Sequence, residues 1–147
     1  MKHAKLEVKL LSDASLVPEY QKFGSAGFDL HARIPDGTMV IEAGKHAVIG
    51  TGIAVAVPFG YELQIRPRSG LALKHGITVL NSPGTVDHGF KNEVGVILIN
   101  HGENDFIVHD GDRIAQALIK EIIIAKIVVV DELTGYDRGG GFGSTNI

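Results

Sequence analysis

Residues 81–100, NSPGTVDHGFKNEVGVILIN, form the stretch that decides the fold predicted from the sequence. The stretch begins with turn residues, and residues 89–92 reverse the direction of the chain, which predicts a β-hairpin. The half after the turn, 93–100, is apolar at nearly every position, as is typical of a strand packed on both faces. The hairpin contains one carboxylate, Asp87, and a buried carboxylate is unfavourable unless it is paired. Asp87 therefore either caps the turn with its side chain or is kept for proton transfer.

Outside this stretch, short segments rich in Val, Ile and Leu alternate with clusters of Gly, Pro, Asp and Asn. This spacing predicts a single all-β domain, a sandwich or a barrel. One short helix is expected over 69–75, capped by Ser69 and stopped by Gly76. Residues 133–147 are glycine-rich with little to bury, which predicts a flexible arm after a domain of residues 1–132. The predicted strands are 6–11, 28–33, 39–42, 47–57, 62–66, 77–80, 93–100, 105–109, 113–120 and 125–131.

The composition narrows the possible partners and compartment. A chain of 147 residues that is 44% hydrophobic, with a net charge of -3, predicts neither disorder nor general affinity for nucleic acid or anionic membranes. The absence of cysteine excludes disulfides, thiolate nucleophiles and cysteine-ligated zinc. We expect no signal peptide, because the N-terminus lacks an apolar core, and no apolar run is long enough to span a bilayer. These features predict a cytoplasmic protein without nucleic-acid or membrane partners.

Local patterns suggest chemistry, although each has a plain structural alternative. Asp29 begins a strand, where it can simply cap a turn. The run 66–70, RPRSG, places two cations and a hydroxyl at the start of the helix, a favourable place for phosphate or merely a solvated arginine beside a capping serine. Gln116, in a turn that enters a strand, indicates little alone. Of the seven histidines, which lack metal-ligand spacing, only His88 beside Asp87 is a functional candidate.

The tail 138–145, RGGGFGST, is the most unusual of these patterns. Glycines let backbone N–H groups approach phosphate oxygens closely, and the hydroxyls and the arginine add polar contacts. Phe142 suits a tail that closes over a flat ring such as a nucleobase. The alternative is a plain linker.

Taken in order, five motifs resemble those of the homotrimeric dUTPase family, the dUTP pyrophosphatases: AGFDLHA, RPRSGLA, NSPGTVDHGFKNEVGVILIN, GDRIAQ and RGGGFGST. The resemblance extends from about Ser25 to the C-terminus. It implies a β jelly roll of the β-clip type, a homotrimer with shared active sites, and an arm that closes over a neighbouring subunit. It also implies Mg²⁺-dependent hydrolysis of dUTP to dUMP and pyrophosphate, which lowers dUTP and supplies dUMP for thymidylate synthesis.

The resemblance also implies roles for individual residues. Asp87 matches the base that activates the water attacking the α-phosphorus, and Asp29 matches an acid near the metal, reached through water. The other matched positions bind uracil and deoxyribose (Asn81, Gly84, Val86, Phe90 and Phe142) or phosphates (Arg68, Ser69, Gly70, Gln116, Arg138, Gly143, Ser144 and Thr145).

The departures from the family pattern lie in the hairpin. The family usually has a second acid at the position of Gly89, a tyrosine at Phe90 and a glycine at Asn92. Two alternatives stay open: a dUTP-gated interaction protein with slow hydrolysis, and a relative of the dCTP deaminases, which share the jelly roll. Short gaps between the motifs argue against a partner-binding insertion, and the complete glycine-rich arm favours a dUTPase.

Overall fold

A computed structural model describes residues 3–140. In that part of the chain, alternating Val, Ile and Leu side chains form short strands between turns that contain glycine or proline. The elements are β1 (Glu7–Leu10), β2 (Phe28–His31), β3 (Thr38–Ile41), β4 (His46–Ala56), β5 (Tyr61–Arg66), α1 (Ser69–His75), β6 (Ile77–Val79), β7 (Gly84–Val86), β8 (Glu93–Asn100), β9 (Phe106–His109) and β10 (Arg113–Glu121).

The strands form two four-stranded antiparallel sheets and one two-stranded sheet. The strand orders are β1-β4-β8-β6, β2-β10-β5-β7 and β3-β9. Their inward side chains share one apolar core, whose largest fully buried members are Leu30, Ile41, Ile49, Ile53, Leu63, Ile77, Leu98 and Ile114. The arrangement is a jelly-roll-like β fold, which confirms the all-β prediction.

Strand β8 packs on one face only, so the prediction of packing on both faces was wrong. Val94, Val96 and Leu98 point into the core, whereas Ile97 and Ile99 are half-buried on the other face. The reason is that β8 lies in an outer layer of the fold, where a single side of the sheet meets the core.

The predicted hairpin over 81–100 was also wrong. Strand β7 pairs with β5, with Val86 opposite Leu63, whereas β8 pairs with β4 and β6. The turn of residues 87–92 thus carries the chain from one sheet to the other. Two strands close in sequence need not be ladder partners, because each takes the edge that buries its apolar face.

The predicted helix is present, but the predicted N-terminal cap by the Ser69 side chain is not. Helix α1 spans Ser69–His75, and Arg68 is the N-cap residue without a side-chain capping bond, so Ser69 is the first helical residue. Gly76 ends the helix in the left-handed conformation, as predicted.

The predicted strand over 125–131 was wrong. The chain leaves the second sheet at Glu121, and residues 122–140 contain no strand. Ile123 and Val129 are 96% and 95% exposed. A strand requires a neighbouring edge, and the described part of the chain offers none to this segment. No helix within residues 3–140 is long and apolar enough to cross a membrane.

Asp110 ties two turns of the sandwich together. Its Oδ1 accepts hydrogen bonds from the Ile34 backbone N–H at 2.6 Å and from Arg33 Nη1 at 3.1 Å. The Ile34 hydrogen bond, followed by the Arg33 contact, lowers the pKa of Asp110. A lowered folded-state pKa stabilises the protein above the unfolded-state pKa, and this contribution is lost as pH falls through the folded-state value.

We expect Asp110→Asn to lower the free energy of unfolding, measured with urea at pH 7, by on the order of 1 kcal/mol or less, because the pair is partly exposed. The difference from wild type should shrink at acidic pH, as the pH falls through the lowered folded-state pKa of Asp110. Asp36→Asn, at an exposed carboxylate in the same region, should leave the free energy of unfolding unchanged at both pH values. An equal deficit of Asp110→Asn at both pH values would contradict the assignment.

Candidate active site

A cavity opens where β7 and β8 separate. It exists because the turn of residues 87–92 changes sheets, so the two strands diverge instead of pairing. Its volume is about 170 Å³. A cavity of about 150 Å³ is known to hold benzene, so this one has room for a single six-membered ring. Its lining includes Ile65, Val79, Asn81, Gly84, Thr85, Val86, Asp87, Phe90, Val94, Gly95, Val96 and Ile97.

The cavity is bordered by strand edges with unpaired backbone groups. Strand β7 is the outer strand of its sheet. Strand β6 pairs with β8 only from Leu98 to Asn100, with one further bond from Leu80 N–H to the Ile97 carbonyl. The first half of β8 therefore has no strand partner on that side within residues 3–140. Such edges offer N–H donors and C=O acceptors that can bind the polar edge of a flat ring.

The four predicted uracil and deoxyribose residues that are described all line this cavity. They are Asn81, Gly84, Val86 and Phe90, and the Phe90 side chain is 40% exposed at the border. A Cβ atom on Gly84 would lie 3.3 Å from both Asn81 Nδ2 and Ile65 Cβ. Since both neighbours would have to give way, glycine at this position keeps the Asn81 amide beside the cavity.

Asp87 lies at the end of β7, borders the same cavity and is exposed. Within residues 3–140 its carboxylate makes no hydrogen bond or ion pair, and the turn is closed instead by the Phe90 N–H donating to the Asp87 backbone carbonyl at 3.2 Å. Asp87 therefore does not cap this turn with its side chain. The carboxylate is available to a ligand or a water molecule.

The turn after Asp87 is attached to the β4–β5 connection through His88. The His88 Nδ1–H donates to the Val57 carbonyl at 2.7 Å, and the ring packs edge-on against Phe59 with centroids 5.6 Å apart. Gly89 has a φ of +93°. Glycine has no Cβ atom, so it takes this positive φ without strain.

A second region contains the predicted phosphate-binding side chains. Asp29 on β2 is 9% exposed and pairs with Arg68 Nε at 3.5 Å and Arg113 Nη1 at 3.2 Å. Arg68 Nη1 also donates to the Arg113 carbonyl at 2.7 Å. Two cations thus share the Asp29 carboxylate, and the guanidinium donors that Asp29 does not occupy can bind an anion.

Other predicted residues lie beside this pair. Gln116 Nε2 donates to the Pro67 carbonyl at 2.9 Å, which attaches β10 to the loop before the helix. Ser69 and Gly70 are exposed in the first turn of α1, next to Arg68. The structure therefore brings Asp29, Arg68, Ser69, Gly70 and Gln116 into one region.

Two residues of this region were not predicted. Arg113 lies within the GDRIAQ motif, and its position beside Gln116 was the available signal. His31 faces Arg113 across the β2–β10 ladder, its Nδ1 is buried, and within the described residues it has no hydrogen-bond partner. Burial lowers the pKa of His31, and the nearby Asp29 acts in the opposite direction.

The arm contributes little to the described site. Arg138 is exposed and makes no hydrogen bond or ion pair with either region within residues 3–140. Phe142, Gly143, Ser144 and Thr145 lie outside the described residues, so their predicted roles stay predictions.

Asp87 and the region of Arg68 and Gln116 lie toward opposite ends of β5. Val86 is opposite Leu63, which places Asp87 next to Glu62, whereas Gln116 is opposite Arg66. Glu62 and Arg66 are four residues apart on the strand, roughly 13 Å, and Arg68 lies beyond Arg66. One chain therefore does not place Arg68 against its own Asp87.

The described residues fit the predicted Mg²⁺ only if the phosphates of a bound nucleotide supply most of its ligands. No group of three or more His, Asp or Glu side chains suited to a metal is found within residues 3–140. Mg²⁺ favours phosphate oxygens and water over an all-protein cage, and Asp29 is the acid in the cationic region. Asp29 is paired with Arg68 and Arg113, so its contact with the metal through water stays a prediction.

The protein is an all-β domain whose two regions suit a nucleoside phosphate. One region has a ring-sized cavity beside a free carboxylate, and the other has two neighbouring arginines. Residues 13–146 match the family model described as dUTPase. The chain belongs to the dUTPase family.

Relatives and solved structures agree with this assignment. The deoxyuridine 5'-triphosphate nucleotidohydrolase of Nautilia profundicola is 52% identical over 142 residues, covering 96% of this chain and 98% of the relative. That of Clostridium acetobutylicum is 52% identical over 143 residues, covering 97% of each. The dUTPase of Staphylococcus bacteriophage 80alpha with dUPNHPP has a TM-score of 0.86 at 26% identity, covering 99% of this chain and 100% of that one. A mutant dUTPase of phage phi11 of S. aureus, described with a structural Mg(II) ion, has a TM-score of 0.80 at 25% identity, covering 90% of this chain and 100% of that one.

We expect Gly84→Ala to raise the KM for dUTP by about 10-fold or more, because the added methyl group displaces Asn81 at the cavity. The measurement is steady-state pyrophosphate release over a range of dUTP concentrations. Ser82→Ala, at an exposed position two residues earlier, is the matched control and should behave like wild type. An unchanged KM for Gly84→Ala would show that Asn81 does not contact the base.

Proposed function

We propose that the protein is a dUTP diphosphatase that hydrolyses dUTP to dUMP and pyrophosphate. The observation that carries the proposal is the cavity between β7 and β8, with unpaired strand edges on its sides and the free Asp87 carboxylate at its border. A uracil ring matches its size, and the polar edge of uracil matches exposed backbone N–H and C=O groups.

In this reaction water attacks the α-phosphorus and the bond to the β-phosphate oxygen breaks, so that pyrophosphate leaves. Asp87 orients the water and accepts its proton. Arg68 and the side chain of Gln116 bind phosphate oxygens, and Arg68 is held for that purpose by Asp29. When bound, Mg²⁺ neutralises charge on the phosphates.

Selection of the nucleotide follows from the shape of the cavity. A cavity of about 170 Å³ has room for a single six-membered ring and leaves little space for the added methyl group of thymine. Phe90 lies at the border, where its ring can pack against deoxyribose, and a ribose hydroxyl there would lose its hydrogen bonds to water. dUTP should therefore be preferred over dTTP and UTP.

We also propose a homotrimer in which the cavity of one subunit receives the cationic region of another. This assembly is supported by the separation of Asp87 from Arg68 along β5, because a single chain does not place the two side chains together. It is further supported by an exposed apolar segment after β10, with Ile123, Ile127 and Val129 each at least 90% exposed, which a second subunit would cover. In this proposal, residues 1–132 form the catalytic domain and residues 133–147 close over a neighbouring site.

The two alternatives receive less support. Curated relatives about half identical over nearly the whole chain are named as nucleotidohydrolases, which does not favour a sensor with slow hydrolysis or a deaminase. The cytoplasmic location and the absence of nucleic-acid and membrane partners stay predictions from composition.

We expect Asp87→Asn to lower kcat for dUTP by at least about 100-fold, because the amide cannot accept the proton of the attacking water. The affinity for dUTP, measured by calorimetry, should change by less than about 3-fold, since the cavity is unaltered. Asp105→Asn, at an exposed aspartate distant in sequence, is the control for removal of one carboxylate. Turnover by Asp87→Asn at the wild-type rate would remove Asp87 as the base.

Mixing two inactive variants tests the shared site. Asp87→Asn and Arg68→Gln should each be inactive alone, whereas subunits refolded together at equal ratio should recover about a quarter of wild-type activity through sites that combine the intact residues. Light scattering after size exclusion checks the trimer for each sample. Absence of recovery in mixed trimers would contradict a site built from two subunits.

A further inference from the structure

We propose that His88 is a positioning residue that holds the Asp87 turn against the β4–β5 connection. The inference deepens the proposed function and rests on it, because the consequence of the attachment is the placement of the Asp87 carboxylate. His88 itself is assigned no contact with the substrate.

The hydrogen bond defines the state of the His88 ring. The Val57 carbonyl can only accept, so His88 Nδ1 carries the hydrogen in the 2.7 Å contact. The neutral ring is then the Nδ1–H tautomer, and a protonated ring keeps the same bond. The edge-on packing against Phe59, at an interplanar angle of 87°, gives the ring a second contact on the same connection.

The anchor lies on a rigid part of the fold. Val57 is fully buried, and the β4–β5 connection is closed by the Tyr61 N–H donating to the Pro58 carbonyl at 3.2 Å. A carbonyl attached to the core in this way moves little, so it can restrain a neighbouring turn.

Asp87 is therefore fixed from both sides. On one side, Val86 is in the ladder with the buried Leu63. On the other side, the next residue, His88, is bonded to Val57. The remaining residues of the turn, 89–92, are exposed, and within residues 3–140 a single backbone hydrogen bond closes it, from the Phe90 N–H to the Asp87 carbonyl. Without His88, Asp87 is restrained by β7 on one side, and on the other side through the exposed residues 89–92 that lead to β8. Displacement of a reacting group by about 1 Å can cost about 100-fold in rate.

Three substitutions separate the contacts of His88. His88→Asn keeps an N–H donor near the position of Nδ1 but removes the ring, whereas His88→Phe keeps an aromatic ring against Phe59 but removes the donor. His88→Ala removes both. The matched control is His46→Phe, the same change at an exposed histidine on β4.

The first measurement is steady-state hydrolysis of dUTP by the full-length protein. We expect kcat to fall about 10-fold or more in His88→Phe and His88→Ala, with KM within about 3-fold of wild type, and His88→Asn to recover most of the loss. A change of KM alone, a wild-type kcat in His88→Phe, or no rescue by His88→Asn would each overturn the proposal. The split between kcat and KM matters because general loosening of the cavity would raise KM as well.

The second measurement is hydrogen–deuterium exchange of the peptide containing residues 87–92, which needs no activity. Exchange should be faster in His88→Phe and His88→Ala, and close to wild type in His88→Asn and His46→Phe. Unchanged exchange in His88→Phe overturns the attachment, whatever the kinetics. If the wild-type protein does not hydrolyse dUTP, the proposed function fails while the exchange data still decide whether His88 holds the turn.

Discussion

The site depends on one constraint: backbone N–H and C=O groups need hydrogen-bond partners. In most of the sandwich these groups pair within the sheets. Between β7 and β8 these groups do not pair, because β7 (Gly84–Val86) is hydrogen-bonded to β5, whereas β8 (Glu93–Asn100) is hydrogen-bonded to β4 and β6. The fold thus leaves a short length of two unpaired edges facing one cavity, where water or a ligand with a matching polar edge must complete the bonding.

Electrostatics organises the second region in a similar way. The Asp29 carboxylate allows Arg68 and Arg113 to lie side by side, since without it the two cations would repel each other. Both guanidinium groups keep donors that Asp29 does not occupy, and these can bind phosphate oxygens. Because this region and Asp87 lie toward opposite ends of β5, assembly of subunits becomes part of the chemistry in the proposed function.

The turn after Asp87 combines a flexible residue with a fixed one. Gly89 takes a positive φ that glycine adopts without strain. The restraint on the turn comes from His88, whose ring reaches the Val57 carbonyl and Phe59 on the β4–β5 connection. The position of the Asp87 carboxylate thus depends on a contact to a different part of the fold.

The sequence by itself determined the all-β class, the bounds of β8 (Glu93–Asn100) and α1 (Ser69–His75), and through its five ordered motifs the family and most candidate site residues. These features depend on local periodicity, on glycine and proline, and on the identity of short motifs. Only the tertiary structure decided that β7 and β8 do not pair, that residues 125–131 form no strand within the chain, and that His88 bonds to Val57. The physical reason is that a strand's partner, and a side chain's contact with a distant carbonyl, depend on which edges and faces meet in space, which local sequence does not encode.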